Sequence, residues 1–250
     1  VQRYFLENNE LVNGKIEISG DDFHHIVRVM RMSIGSKITV VFPNGQTALC
    51  EIANILPDVL EAKVVSIFDE KHELPIKVTV AGGLLKGDKF DIVIQKGTEL
   101  GAAAFLPFTS ERSIVKLEEK KRMRRMERWQ KIAKEAAEQS ERTMIPKCLE
   151  PVSLQELLLI SQSYEKKIVA YEEEGRNHHQ KQLPQTLKEL QAGNSLLFVF
   201  GPEGGFSKAE IDLLKANDFI VCGLGPRILR AETAPLYALA AISFYFELLR

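Results

Sequence analysis

Apolar positions change their period near residue 70 of this 250-residue chain. Before that point, Lys15–Ile18, Lys37–Phe42, Thr47–Ile55 and Val59–Phe68 are short runs heavy in Val and Ile. Turn residues bound them, so each predicts a strand. Pro43, Asn44 and Gly45 predict a hairpin turn, because Asn and Gly tolerate positive φ. One stretch, Asp21 to Met32, has a helical period instead. Phe23, Ile26, Val27 and Met30 form its apolar face, and His24, Arg28 and Arg31 its exposed face. Small, closely spaced strands with one short helix predict a compact β-barrel.

After the charged segment Asp69–Pro75 the pattern alternates. Strands are predicted at Ile76–Ala81, Ala104–Phe108, Lys167–Tyr171, Ser195–Phe200 and Phe219–Gly223. Helices are predicted at Asp88–Leu100, Arg122–Arg142, Ser207–Asn217 and Ala234–Arg250. Strands alternating with helices predict an α/β fold whose mainly parallel sheet is covered on both faces. The chain thus reads as two domains, 1–72 and 73–250. Glu172–Gln182 is polar and reads as a surface loop. The last helix is apolar nearly all round, which predicts burial on all sides. At the end of a small domain such a helix is expected to pack between subunits, so a homodimer is expected.

Composition narrows the partners. The balance of 45% hydrophobic and 27% charged residues is that of a globular chain rather than a disordered one. A formal net charge of -1 gives no global footprint for nucleic acid, so any such case rests on local patches. The three cysteines, Cys50, Cys148 and Cys222, are odd in number and far apart. Neither a disulfide framework nor a metal site follows from that spacing, and a reducing, cytoplasmic compartment is expected. The first residues, Val1–Asn9, lack the apolar run of a signal peptide. The longest uncharged apolar stretch, Ala234–Phe246, falls short of the ~20 residues that span a bilayer.

Two basic stripes are candidate RNA contacts. Lys120–Lys134 carries eight Lys and Arg residues against the single acid Glu127. Met126, Trp129, Ala133 and Ala136 form the inner stripe of the same helix. Lys121, Arg125 and Arg128 are its candidate phosphate ligands, joined by Arg3, His24, Arg28 and Arg31 of the first domain. The plainer reading of both is a solvated helix face, and acids outnumber Lys and Arg over residues 1–70.

Three segments follow predicted strands, where ligands bind in open α/β sheets. Gly201, Pro202, Glu203, Gly204 and Gly205 lie between the strand ending at Phe200 and a capping box formed by Ser207 and Glu210. This is neither a Walker loop nor G-x-G-x-x-G. Leu224–Pro235 crowds Arg227, Arg230 and Glu232 between an apolar strand and an apolar helix. Thr233 reads as the N-cap there and Pro235 as a first-turn residue. Ala170, Tyr171 and Glu172 end the third strand and are weak alone.

The sequence Gly201-Pro-Glu-Gly-Gly-Phe-Ser207, followed by Leu224-Gly-Pro-Arg-Ile-Leu-Arg-Ala-Glu-Thr-Ala234, resembles the RsmE family. These are bacterial 16S rRNA (uracil-N3)-methyltransferases of the SPOUT superfamily. Lys86–Asp91, Gln95–Gly101, Ser110–Ser113 and His24–Arg31 are also similar to that family. The resemblance covers nearly the whole chain, although Gly97 stands where alanine is common. It implies a PUA-like barrel ahead of a parallel sheet whose C-terminal part threads a trefoil knot. It further implies S-adenosylmethionine as cofactor, 16S rRNA in the small ribosomal subunit or its precursor as partner, and a homodimer paired through the knot. Carried over, the cofactor-binding residues are Ala170, Tyr171, Glu172, Phe200, Gly201, Pro202, Glu203, Gly204, Gly205, Leu224, Gly225, Ile228, Leu229, Arg230, Thr233 and Ala234.

The chemistry so implied sets requirements. N3 of uracil carries a proton on the pairing edge, so the base must be unpaired or flipped out. Losing that proton spreads negative charge to O2 and O4, which cations would stabilise. Arg112 and Arg230 are the candidate cations. Glu203 and Glu232 are the candidates to orient the base or accept its proton, with an ion pair to Arg227 or Arg230 as the plainer role of Glu232. No metal is expected. Two other classes stay open on the residues alone: a non-enzymatic RNA-binding protein, and a nucleotide-dependent oxidoreductase, which the missing G-x-G-x-x-G disfavours.

Overall fold

The structure, a computed structural model, describes residues 1–7, 14–112, 119–171 and 182–249. Contacts divide the chain into two units. The first is Val1–Glu73 with Ala137–Met144; the second is Leu74–Ala136 with Ile145–Arg250.

The first unit holds β1 (Arg3–Phe5), β2 (Lys15–Ser19), β3 (Lys37–Val41), β4 (Thr47–Ile55) and β5 (Val59–Phe68). Their order is β1-β3-β4-β5-β2. Gly45 takes φ +84° in the β3–β4 turn, as its type predicts. Among the described residues β1 and β2 are both edges, so the expected barrel is a curled half-barrel rather than a closed one. Strand β1 was not foreseen; three residues carry too little pattern, and its parallel pairing with β3 is a long-range choice.

Helix α1 (Gly20–His24) continues to Val29 as a wider turn, in which the Met30 N–H donates to the His25 carbonyl at 2.9 Å. The wider turn rotates the residues beyond it off the 3.6-residue period. Phe23 and Ile26 are therefore buried as expected, but Met30 is 40% exposed, which corrects the four-residue apolar face. Arg3 is also corrected. It is buried, ion-paired to Glu70 at 2.6 Å, and donates to the Arg142 carbonyl at 3.1 Å. Its guanidinium ties the unit together instead of facing solvent. Buried Arg142 in turn pairs with Glu73, which draws residues 137–144 into the first unit.

The second unit is a parallel sheet in the order β12-β10-β11-β6-β7-β8, with a short β9 against β7. Its elements are β6 (Lys77–Gly83), α2 (Lys89–Glu99), β7 (Ala104–Thr109), α3 (Glu119–Gln139), β8 (Lys147–Cys148), β9 (Val152–Ser153), α4 (Leu154–Ile160), β10 (Lys166–Ala170), α5 (Gln182–Glu189), β11 (Ser195–Phe200), α6 (Lys208–Ala216), β12 (Ile220–Cys222) and α7 (Thr233–Ser243). Alternation along β11 divides the core. Leu196, Phe198 and Phe200 pack with α2, α3, α5 and α7, while Leu197 and Val199 pack with α4 and α6. Both faces are covered, as a parallel sheet requires. Gly97 has a packing reason: a Cβ there would come within 2.7 Å of the Phe105 ring.

Two helix expectations change. Helix α3 buries Trp129, Ala133 and Ala136 as expected but ends at Gln139, before Arg142. Helix α7 begins at Thr233 with Glu232 in the capping position and no side-chain cap. The Arg230 carbonyl already accepts from the N–H groups of Thr233 and Ala234, so the turn winds from Arg230 and Thr233 is not the cap. Pro235, Ala238, Leu239 and Ile242 of α7 are buried, whereas Tyr237, Phe244 and Leu248 are exposed.

Candidate functional site

Strands β10, β11 and β12 are parallel neighbours, so their C-terminal ends meet at one edge of the sheet. The loops leaving them line one cavity of about 590 Å³, within the usual range for a small-molecule site. Ala170 and Tyr171 come from the first loop, Phe200 to Phe206 from the second, and Leu224, Gly225 and Arg227 to Glu232 with Ala234 from the third. Of the cofactor residues carried over from the resemblance, Thr233 does not line the cavity, and Glu172 lies outside the described residues.

Close approach explains two glycines. Gly83, at the end of β6, runs under the second loop, and a Cβ there would stand 2.5 Å from the Pro202 nitrogen. Gly204 faces Arg112, whose Cβ would be 3.1 Å from an added Cβ. The Arg112 guanidinium donates to the Gly204 carbonyl at 3.2 Å.

One carboxylate joins the Arg112 loop to the second loop. Glu210 completes the capping box of α6, accepting from the Ser207 N–H at 2.8 Å through one oxygen. Its other oxygen accepts from the Glu111 N–H at 2.8 Å. The capping box is legible in the sequence; the second bond is not, because it spans 99 residues.

The four candidate catalytic side chains stand in different states. Glu203 is committed: it accepts from the Lys86 N–H and from the Lys89 ammonium, both at 3.1 Å. Burial alone would raise its pKa, but its own backbone N–H, the Lys86 N–H and Lys89 outweigh that and hold it below the ordinary carboxylate value. Glu232 has an open oxygen. Its Oε2 is buried without a hydrogen-bond partner, and Lys89 stands 3.8 Å away. Lys89, rather than Arg227 or Arg230, is thus its ion-pair partner among the described residues. Arg230 is exposed on the cavity wall, as is Arg227.

Lys89 was absent from the residues assigned to the site from sequence, and Arg227, singled out in the third segment, was given no cofactor role. Nothing marks a lysine at the start of a helix as a ligand-site residue. Only the fold brings it between the second and third loops.

The candidate RNA contacts divide as well. His24, Arg28, Arg31 and Lys121 are exposed, and Arg125 is half-buried. Arg128 is tied to Asp91 at 2.7 Å, with Asp88 at 3.7 Å, and Arg122 pairs with Glu150. The α3 stripe is therefore less positive than its sequence reads, because the acids that pair Arg122 and Arg128 come from elsewhere in the chain. Among the described residues no group of His, Cys, Asp and Glu could hold a metal ion, and no helix is long and apolar enough to cross a membrane.

Comparison with known proteins agrees with this geometry. Residues 72–243 match the model of an RNA methyltransferase domain, and residues 18–65 that of an RNA methyltransferase PUA domain. The chain is 49% identical to ribosomal RNA small subunit methyltransferase E of Bacillus subtilis, covering 100% of this chain and 99% of that one. It is 31% identical to the protein of the same name from Synechocystis, covering 98% of this chain and 78% of the other. The crystal structure of the Neisseria gonorrhoeae protein of that name, bound to S-adenosyl methionine, superposes with a TM-score of 0.84 at 28% identity over 98% of each chain.

Proposed function

The chain belongs to the ribosomal RNA small subunit methyltransferase E family, and from that premise we propose that it methylates N3 of a uridine in 16S rRNA. It is an S-adenosylmethionine-dependent ribosomal RNA methyltransferase with a PUA domain. The observation that carries the assignment of the site is the cavity formed by three loops from adjacent strand ends, with a buried carboxylate oxygen in its wall that accepts no hydrogen bond.

The residues present fit the cofactor. Glycines let the backbone of the second loop approach a ligand closely. The open Glu232 oxygen lacks a donor, which a cationic or N–H-bearing ligand would supply. Phe200 to Gly205 and Leu224 to Ala234 would hold the cofactor, largely through backbone groups. When bound, S-adenosylmethionine supplies an electrophilic methyl on its sulfonium.

The chain's own residues supply position and charge. Glu203 is occupied by Lys86 and Lys89, so it shapes the loop. Glu232, ion-paired to Lys89 but with Oε2 accepting no hydrogen bond, is the group that would orient the base or accept the N3 proton. Arg112 and Arg230 face the charge that then spreads over the uracil oxygens, where fixed cations act most strongly. The wider arrangement is a trefoil knot in the second unit, a homodimer paired through it, and a cytoplasmic enzyme acting on the small ribosomal subunit or its precursor.

Nucleoside mass mapping of 16S rRNA treated with the enzyme tests this reading. N3-methyluridine is the expected product, and a methyl on another base or atom overturns the assignment. Arg230→Ala is expected to lower turnover by about 10²-fold or more with its melting temperature unchanged. Near-normal turnover removes Arg230 from the mechanism.

A further inference from the structure

The third loop of the cavity is pinned at both ends. Just beyond β12, Gly225 takes φ +98°, a conformation that a side chain resists. At the other end the Arg230 carbonyl accepts from the N–H groups of Thr233 and Ala234 at 2.9 and 3.0 Å, where α7 starts. Leu224 and Ala231 pack against the core. Ile228, between them, does not. It lines the cavity and is nevertheless 65% exposed, so its side chain stands at the mouth.

Single exposed apolar residues are ordinary on a surface, but the neighbours of this one are particular. Arg227 and Arg230 flank it, both exposed and both lining the same cavity, and among the described residues neither is in an ion pair. An apolar side chain held between two such cations suits a polyanion that also has apolar faces. Isoleucine is stiff about its first torsion, so little rotamer freedom is lost on contact. Backbone groups of the loop suffice to hold a cofactor, which leaves this side chain without a use there.

We propose that Ile228 is a wedge that enters the stack of RNA bases as the target uridine turns out of it. This rests on the methylation reading above, which requires the pairing edge of the base to be bare. Turning a base out breaks its stacking on both neighbours and leaves a gap. An apolar side chain in that gap restores contact to the flanking bases, and isoleucine is among the residues inserted between base steps in this way. A wedge has to stand beside the pocket that takes the base, and Ile228 shares the cavity wall with Arg230 and Glu232. A plain apolar contact would serve any RNA alike, whereas a wedge serves only RNA whose bases are stacked.

The test titrates the full chain with two RNA probes, each with 2-aminopurine, a base that brightens when unstacked, on the 3′ side of a uridine. One is a hairpin that carries in its stem the 16S uridine identified by mass mapping. The other is a single-stranded oligouridylate, whose bases stack weakly. The wild-type chain is expected to brighten the hairpin. Ile228→Ala is expected to bind the hairpin about tenfold more weakly, with little brightening, and to bind the oligouridylate as the wild type does. Its melting temperature and its calorimetric affinity for S-adenosylmethionine should be unchanged, and Ile228→Leu should recover the hairpin. Equal loss on both probes shows a plain apolar contact and overturns the wedge, as does a wild-type chain that leaves the hairpin dark. A fall in cofactor affinity assigns the side chain to the cofactor, and a sedimenting mass below that of the wild type assigns it to a contact between copies; either result ends the proposal. Brightening reports unstacking whichever atom takes the methyl, so the N3 assignment and the wedge fail separately.

Discussion

A single ammonium, that of Lys89, connects the second and third loops of the cavity. It lies 3.1 Å from Glu203 and 3.8 Å from Glu232. Two carboxylates brought together repel each other, and a cation between them removes that penalty. Lys89→Met should therefore weaken S-adenosylmethionine binding about tenfold by calorimetry, and Lys89→Arg should recover most of it. Equal affinity in the methionine variant would show that the loops hold without the bridge. The pH dependence has a definite sign. The Glu203 pKa is depressed in the folded chain, so its tie is intact above the ordinary value of 4.5 and is lost as pH falls through the lower folded value. Cofactor affinity should thus hold steady from neutrality to about pH 5. In the Lys89→Met variant it should start to fall at a higher pH, because one of the bonds that hold the Glu203 proton off is gone.

Helix α6 does more than begin where Ser207 says it should. Its capping carboxylate, Glu210, also receives the Glu111 N–H and thereby fixes the loop that carries Arg112. Only 6% of Glu210 is exposed, so removing it leaves two backbone donors without a partner. Glu210→Ala should cost about 1–3 kcal/mol in urea denaturation and lower turnover through Arg112. Full stability would mean that water replaces both bonds. Helix α3 teaches the complementary lesson. The eight-to-one excess of cations over Lys120–Lys134 is a property of its own sequence, yet Asp91 of α2 takes Arg128, and Glu150 takes Arg122. A helix's net field depends on the elements packed beside it.

Helix α7 and the turn that follows it bear on assembly. Tyr237 is 44% exposed and Phe244 54%, seven residues apart and so on one face opposite the buried Leu239 and Ile242, and Leu248, 77% exposed, follows in the wider turn. An apolar stripe of that kind marks an interaction surface, consistent with the homodimer proposed above. Tyr237→Asp with Phe244→Asp should yield a sedimenting mass near the 28.2 kDa of one chain. A wild-type protein that already sediments at that mass at micromolar concentration ends the dimer proposal.

Local rules made much of this protein legible. Apolar period, turn chemistry and the Ser207 capping box depend on neighbours a few residues away. They placed the strands of both sheets apart from the shortest, the helices of the cavity, and the three loops that line it. What they could not reach were contacts closed over long separations. The burial of Arg3, the return of residues 137–144 to the first unit, the bridge from Lys89 to Glu232 and the second bond of Glu210 all join segments far apart in the chain. Such pairings are selected by the burial of charge and surface once the whole chain has collapsed. The exposed position of Met30 belongs with them, because one widened turn shifted the helical period that every local reading assumes.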